Sequence, residues 1–203
     1  GEAVTEPADG AETPGQPAED RLVALVIDMV NQVDAHAEPD GEWEAAAVDM
    51  LIYEGGEVWA QEASTARVGI DVVDALVRVA PNTIFTLEQP DEDVLHVSLD
   101  EGQMWINVEG LDGDQVLEVE TPTAIASVRG TRFGVGVAAD GSTVVSSQAS
   151  SVTVTADGST VVVPPGEQTT VEPGMAPGSP EPMSAETQVG WGMAVGGDLS
   201  VGL

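Results

Sequence analysis

The chain has no cysteine and no lysine, and only 3% of its 203 residues are aromatic. Without cysteine, the protein forms no disulfide bonds and performs no thiolate chemistry. Five basic residues stand against 36 acidic ones, which gives a formal net charge of -31. Such a surface repels phosphate groups, so we expect neither nucleic acid nor anionic lipid as a partner.

Long hydrophobic runs are also missing. The longest covers residues 22–27, far short of the roughly 20 residues that span a membrane as a helix. No signal peptide is visible, and the chain begins with Gly1 instead of methionine. We therefore expect an extracellular or cell-surface protein whose leader has been removed, although an expression remnant would give the same start.

The sequence offers little that is typical of an enzyme. His36 and His96 stand alone, without the spacing of a metal site, and the serines lack a nucleophile elbow. Carboxylates are so numerous that no pair of them stands out. We predict a non-enzymatic protein without a cofactor.

Calcium is the one cation that the composition favours, because Ca²⁺ prefers clustered carboxylate oxygens. Acidic side chains cluster at 91–93 and at 112–114. Neither stretch has the length or the alternation of an EF-hand loop, so ordinary acidic turns are the competing interpretation.

The composition changes along the chain in a way that predicts four parts. Residues 1–20 form an acidic, low-complexity arm, and residues 21–173 form a valine-rich body with enough apolar material for one core. Residues 174–187 form a proline-rich linker. The tail, 188–203, is apolar and alternates small with large residues, which is typical of a strand lying closely on another surface.

The body contains a repeated heptapeptide. Ala-Asp-Gly-Ser-Thr-Val-Val occurs at 139–145 and again at 156–162. Asp-Gly between β-branched residues predicts a hairpin tip in each copy, and 110–114 predicts a third tip. We therefore predict an all-β fold of stacked antiparallel hairpins, forming two packed sheets or a solenoid-like stack, with extended N- and C-terminal arms.

The start of the body gives two conflicting signals. Apolar residues between 22 and 33 recur at helical spacing, yet the same stretch is rich in valine and isoleucine. We favour a strand, because β-branched residues fit helices poorly.

The most informative segment runs from 120 to 133, Glu-Thr-Pro-Thr-Ala-Ile-Ala-Ser-Val-Arg-Gly-Thr-Arg-Phe. Proline restricts the residue before it to extended geometry, glycine suits a bend, and we expect Arg129 to be clamped by carboxylates. The residues that define the pattern are Thr121, Pro122, Ala124, Ala126, Val128, Arg129, Gly130, Thr131 and Phe133.

This segment resembles the TP-x-A-x-A-x-VRGT-x-F signature of the FecR-like domain family. Similar stretches recur in family order at 41–46, 50–58, 77–87, 97–108 and 165–171. The resemblance implies an extracytoplasmic β domain that senses, binds or scaffolds and has no shared catalytic residues. It also implies that Trp43, Trp59 and Trp105 occupy core positions, whereas Trp191 lies in the tail and suits an interface anchor.

Two functions follow as hypotheses. Because the membrane span and cytoplasmic domain of a complete FecR-type regulator are missing, our leading hypothesis is a self-assembling structural subunit. It would form filaments or scaffolds by β-augmentation between copies. The residues expected at that contact are Leu22, Leu25, Ile27, Trp191, Met193, Val195 and Leu199.

The alternative hypothesis is a sensing module of a surface signalling system that binds a peptide, a receptor segment or a polysaccharide. The burial of the apolar tail discriminates between the two: against another copy it favours assembly, and against its own body it favours the module. Exposed aromatic residues on a sheet face would indicate a polysaccharide.

Overall fold

The computed structural model describes residues 23–70, 73–88, 90–91, 93–109, 111 and 113–195. The predicted arm 1–20 and the candidate contact residues Leu22 and Leu199 lie outside these ranges. The predicted boundaries of the four parts stay a prediction.

The described residues form eighteen strands and one helix. The strands are β1 Val23–Val30, β2 Val33–His36, β3 Glu44–Ala45, β4 Leu51–Tyr53, β5 Glu57–Ala60, β6 Thr65–Ile70, β7 Ala75–Val79, β8 Thr83–Leu87, β9 Val94–Ser98, β10 Gly102–Val108, β11 Val116–Glu120, β12 Ile125–Val128, β13 Arg132–Val137, β14 Thr143–Ser147, β15 Val152–Ala156, β16 Ser159–Val163, β17 Glu167–Val171 and β18 Glu181–Pro182. The helix is α1 Ala185–Val195.

The strands build two packed nine-stranded sheets, which confirms the predicted all-β fold. Sheet 1 has the order β18-β17-β14-β13-β10-β7-β6-β1-β4, and sheet 2 has the order β16-β15-β12-β11-β9-β8-β5-β2-β3. Neighbouring strands are antiparallel except β9 and β11, which are parallel. From β5 onward the chain passes back and forth between the sheets, and each new strand extends the sheet that it enters.

An apolar core fills the space between the sheets. Alternate residues of most strands point into it, and half of the buried residues of this core are valine, because a branched side chain packs well on a pleated surface. The first stretch of the body is a strand, as predicted: Ala24 and Val26 of β1 are buried in this core.

The signature segment turns the chain from sheet 2 into sheet 1. Ala126, Val128 and Phe133 are buried in the core, and Gly130 at the turn has φ of 144°. The Thr121 hydroxyl donates to the Ala124 carbonyl over 2.9 Å. The alternating residues of the signature segment therefore pack in the core between the sheets.

The expected pairing of Arg129 with a carboxylate is present, but as one exposed contact and not as a bidentate clamp. Its guanidinium Nη1 lies 3.6 Å from Asp114 Oδ1, and the two side chains are 67% and 89% exposed. A single exposed ion pair of this kind contributes at most about 1 kcal/mol.

Both copies of the heptapeptide form hairpin tips, as predicted. Asp157 and Gly158, with φ of 46° and 68°, make a two-residue turn between β15 and β16. The first copy joins β13 to β14 through a longer loop, in which the Ala138 N–H donates to the Ser142 carbonyl over 2.9 Å.

The third predicted tip, 110–114, is wrong as a hairpin. β10 before it belongs to sheet 1, whereas β11 after it belongs to sheet 2 and pairs in parallel with β9. Turn residues mark a change of direction but do not determine which strand becomes the partner.

The tail also differs from its prediction as a strand. Residues 185–195 form α1, and the Ser184 side chain accepts a hydrogen bond from the Thr187 N–H over 3.1 Å, which caps the first turn. The helix lies on the outer face of sheet 1, where Trp191 packs with Leu76, Ala80 and Trp105. No helix in the described part of the chain is long and apolar enough to cross a membrane.

Candidate functional site

The outer face of sheet 2 carries two exposed tryptophans, Trp43 and Trp59, which are 44% and 37% exposed. We call them the aromatic pair. Their prediction as core residues is wrong, whereas Trp105 is buried, as predicted.

Strand alternation explains the position of Trp59. In β5, Val58 and Ala60 are buried in the core, so Glu57 and Trp59 point outward. Trp43 immediately precedes β3, the edge strand of the same sheet. The polar residue two positions before Trp59 was the sequence signal that could have identified it as a surface residue.

The aromatic pair is held in place by His36. The centroids of Trp43 and Trp59 lie 5.8 Å apart with their planes at 69°, and the His36 ring contacts Trp43 edge-on at 4.7 Å. His36 is fixed in turn, because Nδ1 lies 2.8 Å from the Glu38 carbonyl oxygen and Nε2 lies 3.0 Å from Glu57 Oε2.

An acidic groove of about 560 Å³ begins beside the aromatic pair. Its lining residues are Glu57, Thr86, Glu88, His96, Ser98, Asp100, Glu120, Thr121 and Pro122. Glu57 belongs to both features, since its Oε2 contacts His36 and its Oε1 accepts from the Thr86 hydroxyl over 3.2 Å. The face therefore combines aromatic surface with carboxylate oxygens.

This arrangement suits ligands that present cationic groups or hydroxyls. Carboxylates accept hydrogen bonds from both, and an exposed indole contacts a cation or a flat apolar surface with its face. Ser98 positions one carboxylate of the groove, because its hydroxyl donates to Glu88 Oε1 over 2.7 Å.

The calcium prediction stays a prediction. Each of the two acidic stretches, 91–93 and 112–114, contains a residue outside the described ranges. Within those ranges, no three histidine, aspartate or glutamate side chains are arranged to hold a metal ion.

The candidate assembly residues lie within the fold of their own chain where the structure describes them. Leu25 and Ile27 belong to β1, which pairs with β4 on one side and β6 on the other. Trp191 is 3% exposed and packs on its own sheet 1, whereas Met193 is 68% exposed. The side chain of Val195 lies outside the described part. Among the tail residues whose side chains are described, the anchor is thus buried against its own body.

A family profile described as FecR protein matches residues 60–153. The match covers much of the acidic groove, but it excludes the aromatic pair, which is a feature of this chain outside the matched region.

Two crystal structures of a protein described as a candidate anti-sigma factor, from Parabacteroides distasonis ATCC 8503, share the fold with a TM-score of 0.58 and 22% identity. The alignment covers 66% of this chain and 63% of that chain, so it spans less than two thirds of the neighbour's length. No curated protein matches the sequence.

Proposed function

We propose that this chain is a sensing module of a surface signalling system, on the basis of the match of residues 60–153 to the FecR family profile. The module recognises a ligand or a partner protein outside the cytoplasm and has no catalytic step. The description of the Parabacteroides neighbour as a candidate anti-sigma factor supports a regulatory role.

The observation that carries the proposal is the exposed aromatic pair beside the acidic groove. An exposed tryptophan on a sheet face leaves a large apolar surface in contact with water, and such exposure is typical of a contact surface. The position of Trp191 supports the same function, because this side chain packs on sheet 1 of its own chain.

The best-supported ligand is a segment of a partner protein that presents arginine or lysine. Glu88, Asp100 and Glu120 of the groove would pair with its cationic groups, and Trp59 would contact one of them through its face. The formal charge of -31 would speed the encounter and make it sensitive to salt.

A polysaccharide is the second candidate, and the aromatic pair is the observation that favours it. Indole faces stack on sugar rings, and the carboxylates of the groove would accept hydrogen bonds from hydroxyl groups.

Isothermal titration calorimetry with three probes tests the proposal: a hexa-arginine peptide, a Gly-Ser peptide of equal length and a neutral oligosaccharide. We expect the arginine peptide to bind, and Trp59→Ala to weaken its binding at least tenfold. The double variant Glu88→Gln/Glu120→Gln should weaken it too.

The matched control is Asp157→Asn/Glu172→Gln, which removes the same charge from exposed positions outside the groove. If the control weakens binding as much as the groove variant does, attraction is only the general effect of a negative chain and the proposed site is refuted. Binding of the oligosaccharide alone would favour the second candidate.

A further inference from the structure

The sheets end in four edge strands of unequal length. β3 and β18 have two residues each and β4 has three, whereas β16, Ser159–Val163, has five. Within the described part of the chain, β16 pairs on one side only, with β15. It is therefore the longest open edge that the described fold presents.

The register of the last hairpin shows which backbone groups face the open side. Ala156 and Ser159 flank the two-residue turn and form the first hydrogen-bonded pair of β15 with β16. Bonded and non-bonded pairs alternate in an antiparallel ladder, so Val161 and Val163 also bond to β15. The N–H and C=O groups of Thr160 and Val162 consequently point away from the sheet.

This edge lacks the features that usually prevent strand pairing. Natural edges are protected by charged side chains, bulges or short length. Residues 158–166 include no charged side chain, and Val162 is 57% exposed. An open, uncharged strand of five residues is a template for another strand.

We propose that β16 pairs with β16 of a second copy of this chain, antiparallel, about a two-fold axis at Val161. Thr160 of each molecule then lies opposite Val162 of the other, and the outward groups of both residues form four backbone hydrogen bonds. Sheet 2 becomes continuous across the two molecules. The ladder ends at Pro164, which has no N–H to donate.

The distribution of charge suits a second copy as the partner, provided that the two copies meet at the uncharged strand β16. Two chains of charge -31 repel each other over most of their surface, so they approach best where each is neutral. In the two-fold register, the uncharged β16 of one copy faces β16 of the other. Asp157 of each copy lies opposite Pro165, not opposite another carboxylate. The contact is isologous and closed, so it gives a pair and not a filament.

Sedimentation velocity over about 1–500 µM protein tests the pairing, at low salt and at 0.5 M NaCl. We expect a species of twice the 20.8 kDa chain mass, formed more readily in high salt because salt screens the repulsion. Val162→Pro removes one outward N–H from each molecule and should weaken association at least tenfold.

The matched control is Val162→Thr, which keeps the β-branched shape and the N–H and should still associate. Thermal unfolding of both variants at low concentration verifies that the monomer fold is intact. A chain that stays monomeric throughout, or a Val162→Pro variant that associates like the parent, overturns the proposal.

Amide exchange measured by NMR supplies a second readout. The amides of Thr160 and Val162 should exchange more slowly as concentration rises, whereas those of Val161 and Val163 should be slow at every concentration. Uniform behaviour of the four amides would contradict the proposed register. The pairing does not depend on the proposed sensing function, because β16 and the aromatic pair lie toward opposite ends of sheet 2.

Discussion

Trp191 Nε1 donates a hydrogen bond to Ser146 Oγ over 3.1 Å and thereby fixes helix α1 to strand β14. Both side chains are buried, at 3% exposure each. Trp105 lies beside them, under the helix at Gly190, where an added Cβ would come within 2.8 Å of Trp105 Cζ2. The Trp191 indole, the Ser146 hydroxyl and the missing side chain at Gly190 thus determine the position of α1 on sheet 1.

Replacing Trp191 with alanine should release the helix. The substitution removes a buried indole and its hydrogen bond, a loss of about 3–5 kcal/mol in a packed site. We expect α1 to detach while the sheets stay folded, which circular dichroism would detect as a loss of helical signal without a loss of strand signal. Trp191→Phe should lose only about 1 kcal/mol, for the hydrogen bond. Equal effects of the two variants would show that packing contributes little.

Two glycines of α1 should respond to alanine in opposite directions. At Gly190 a methyl group meets Trp105, so we expect Gly190→Ala to destabilise the docked helix by roughly 1–3 kcal/mol. At Gly192 no heavy atom lies within 4 Å of the new Cβ, so Gly192→Ala should stabilise the helix by up to about 1 kcal/mol. Denaturant titration of the single variants tests this, and equal signs would contradict it.

Gly102 should not tolerate alanine. Its φ is 99°, and an added Cβ would lie within 2.8 Å of the Asn82 carbonyl oxygen and even closer to Thr83 Oγ1. Strain and overlap together should lower the free energy of unfolding by about 3 kcal/mol or more. Gly166→Ala is the control: its φ is 84° and the new Cβ has open space, so only strain of about 1 kcal/mol is expected. Urea unfolding compares the two, and a similar loss in both would show that the overlap is relieved.

Asp140 should titrate below its ordinary value of 3.8. The Ser142 side chain and then the Ser142 backbone N–H lower the pKa of the Asp140 carboxyl, through hydrogen bonds of 2.6 and 2.9 Å to Oδ1. Because the pKa is depressed in the folded state, the stability it contributes is present above about pH 4 and is lost as pH falls through the folded pKa.

NMR titration of the Asp140 carboxyl carbon measures this directly. Ser142→Ala removes the stronger of the two donors and should raise the pKa of Asp140 toward 3.8. A pKa of Asp140 at or above 3.8 in the parent chain would disprove the role of Ser142.

The sequence predicted local turns well and non-local pairing less well. Asp157 and Gly158 predicted their hairpin because the turn depends on those two residues alone. Residues 110–114 have a similar composition, yet the strands they join enter different sheets. The choice of partner strand depends on the packed core, which a short sequence window does not contain.

The aromatic pair shows a different limit. The family resemblance placed Trp43 and Trp59 in the core. The alternation that begins with the polar Glu57 and the apolar Val58 instead placed Trp59 on the outer face of its strand. Here the local pattern was correct and the analogy was wrong. The prediction for the tail was wrong for the opposite reason, because here the local pattern was misleading. Alternating glycines resembled a strand, whereas Ser184 and the polar residues after it began a helix.

The passage of the chain back and forth between two growing sheets has a consequence for synthesis. Each strand from β5 to β18 adds to an edge built by earlier residues, so folding can follow the emerging polypeptide without waiting for distant segments. At every stage the growing end presents an open edge, which the next strand covers within seconds. β16 is the last strand that the described chain adds to sheet 2, and after Pro164 and Pro165 the chain continues into β17 of sheet 1. The finished molecule thus keeps an open strand edge as a permanent surface, whereas the open edges at earlier stages of synthesis were transient.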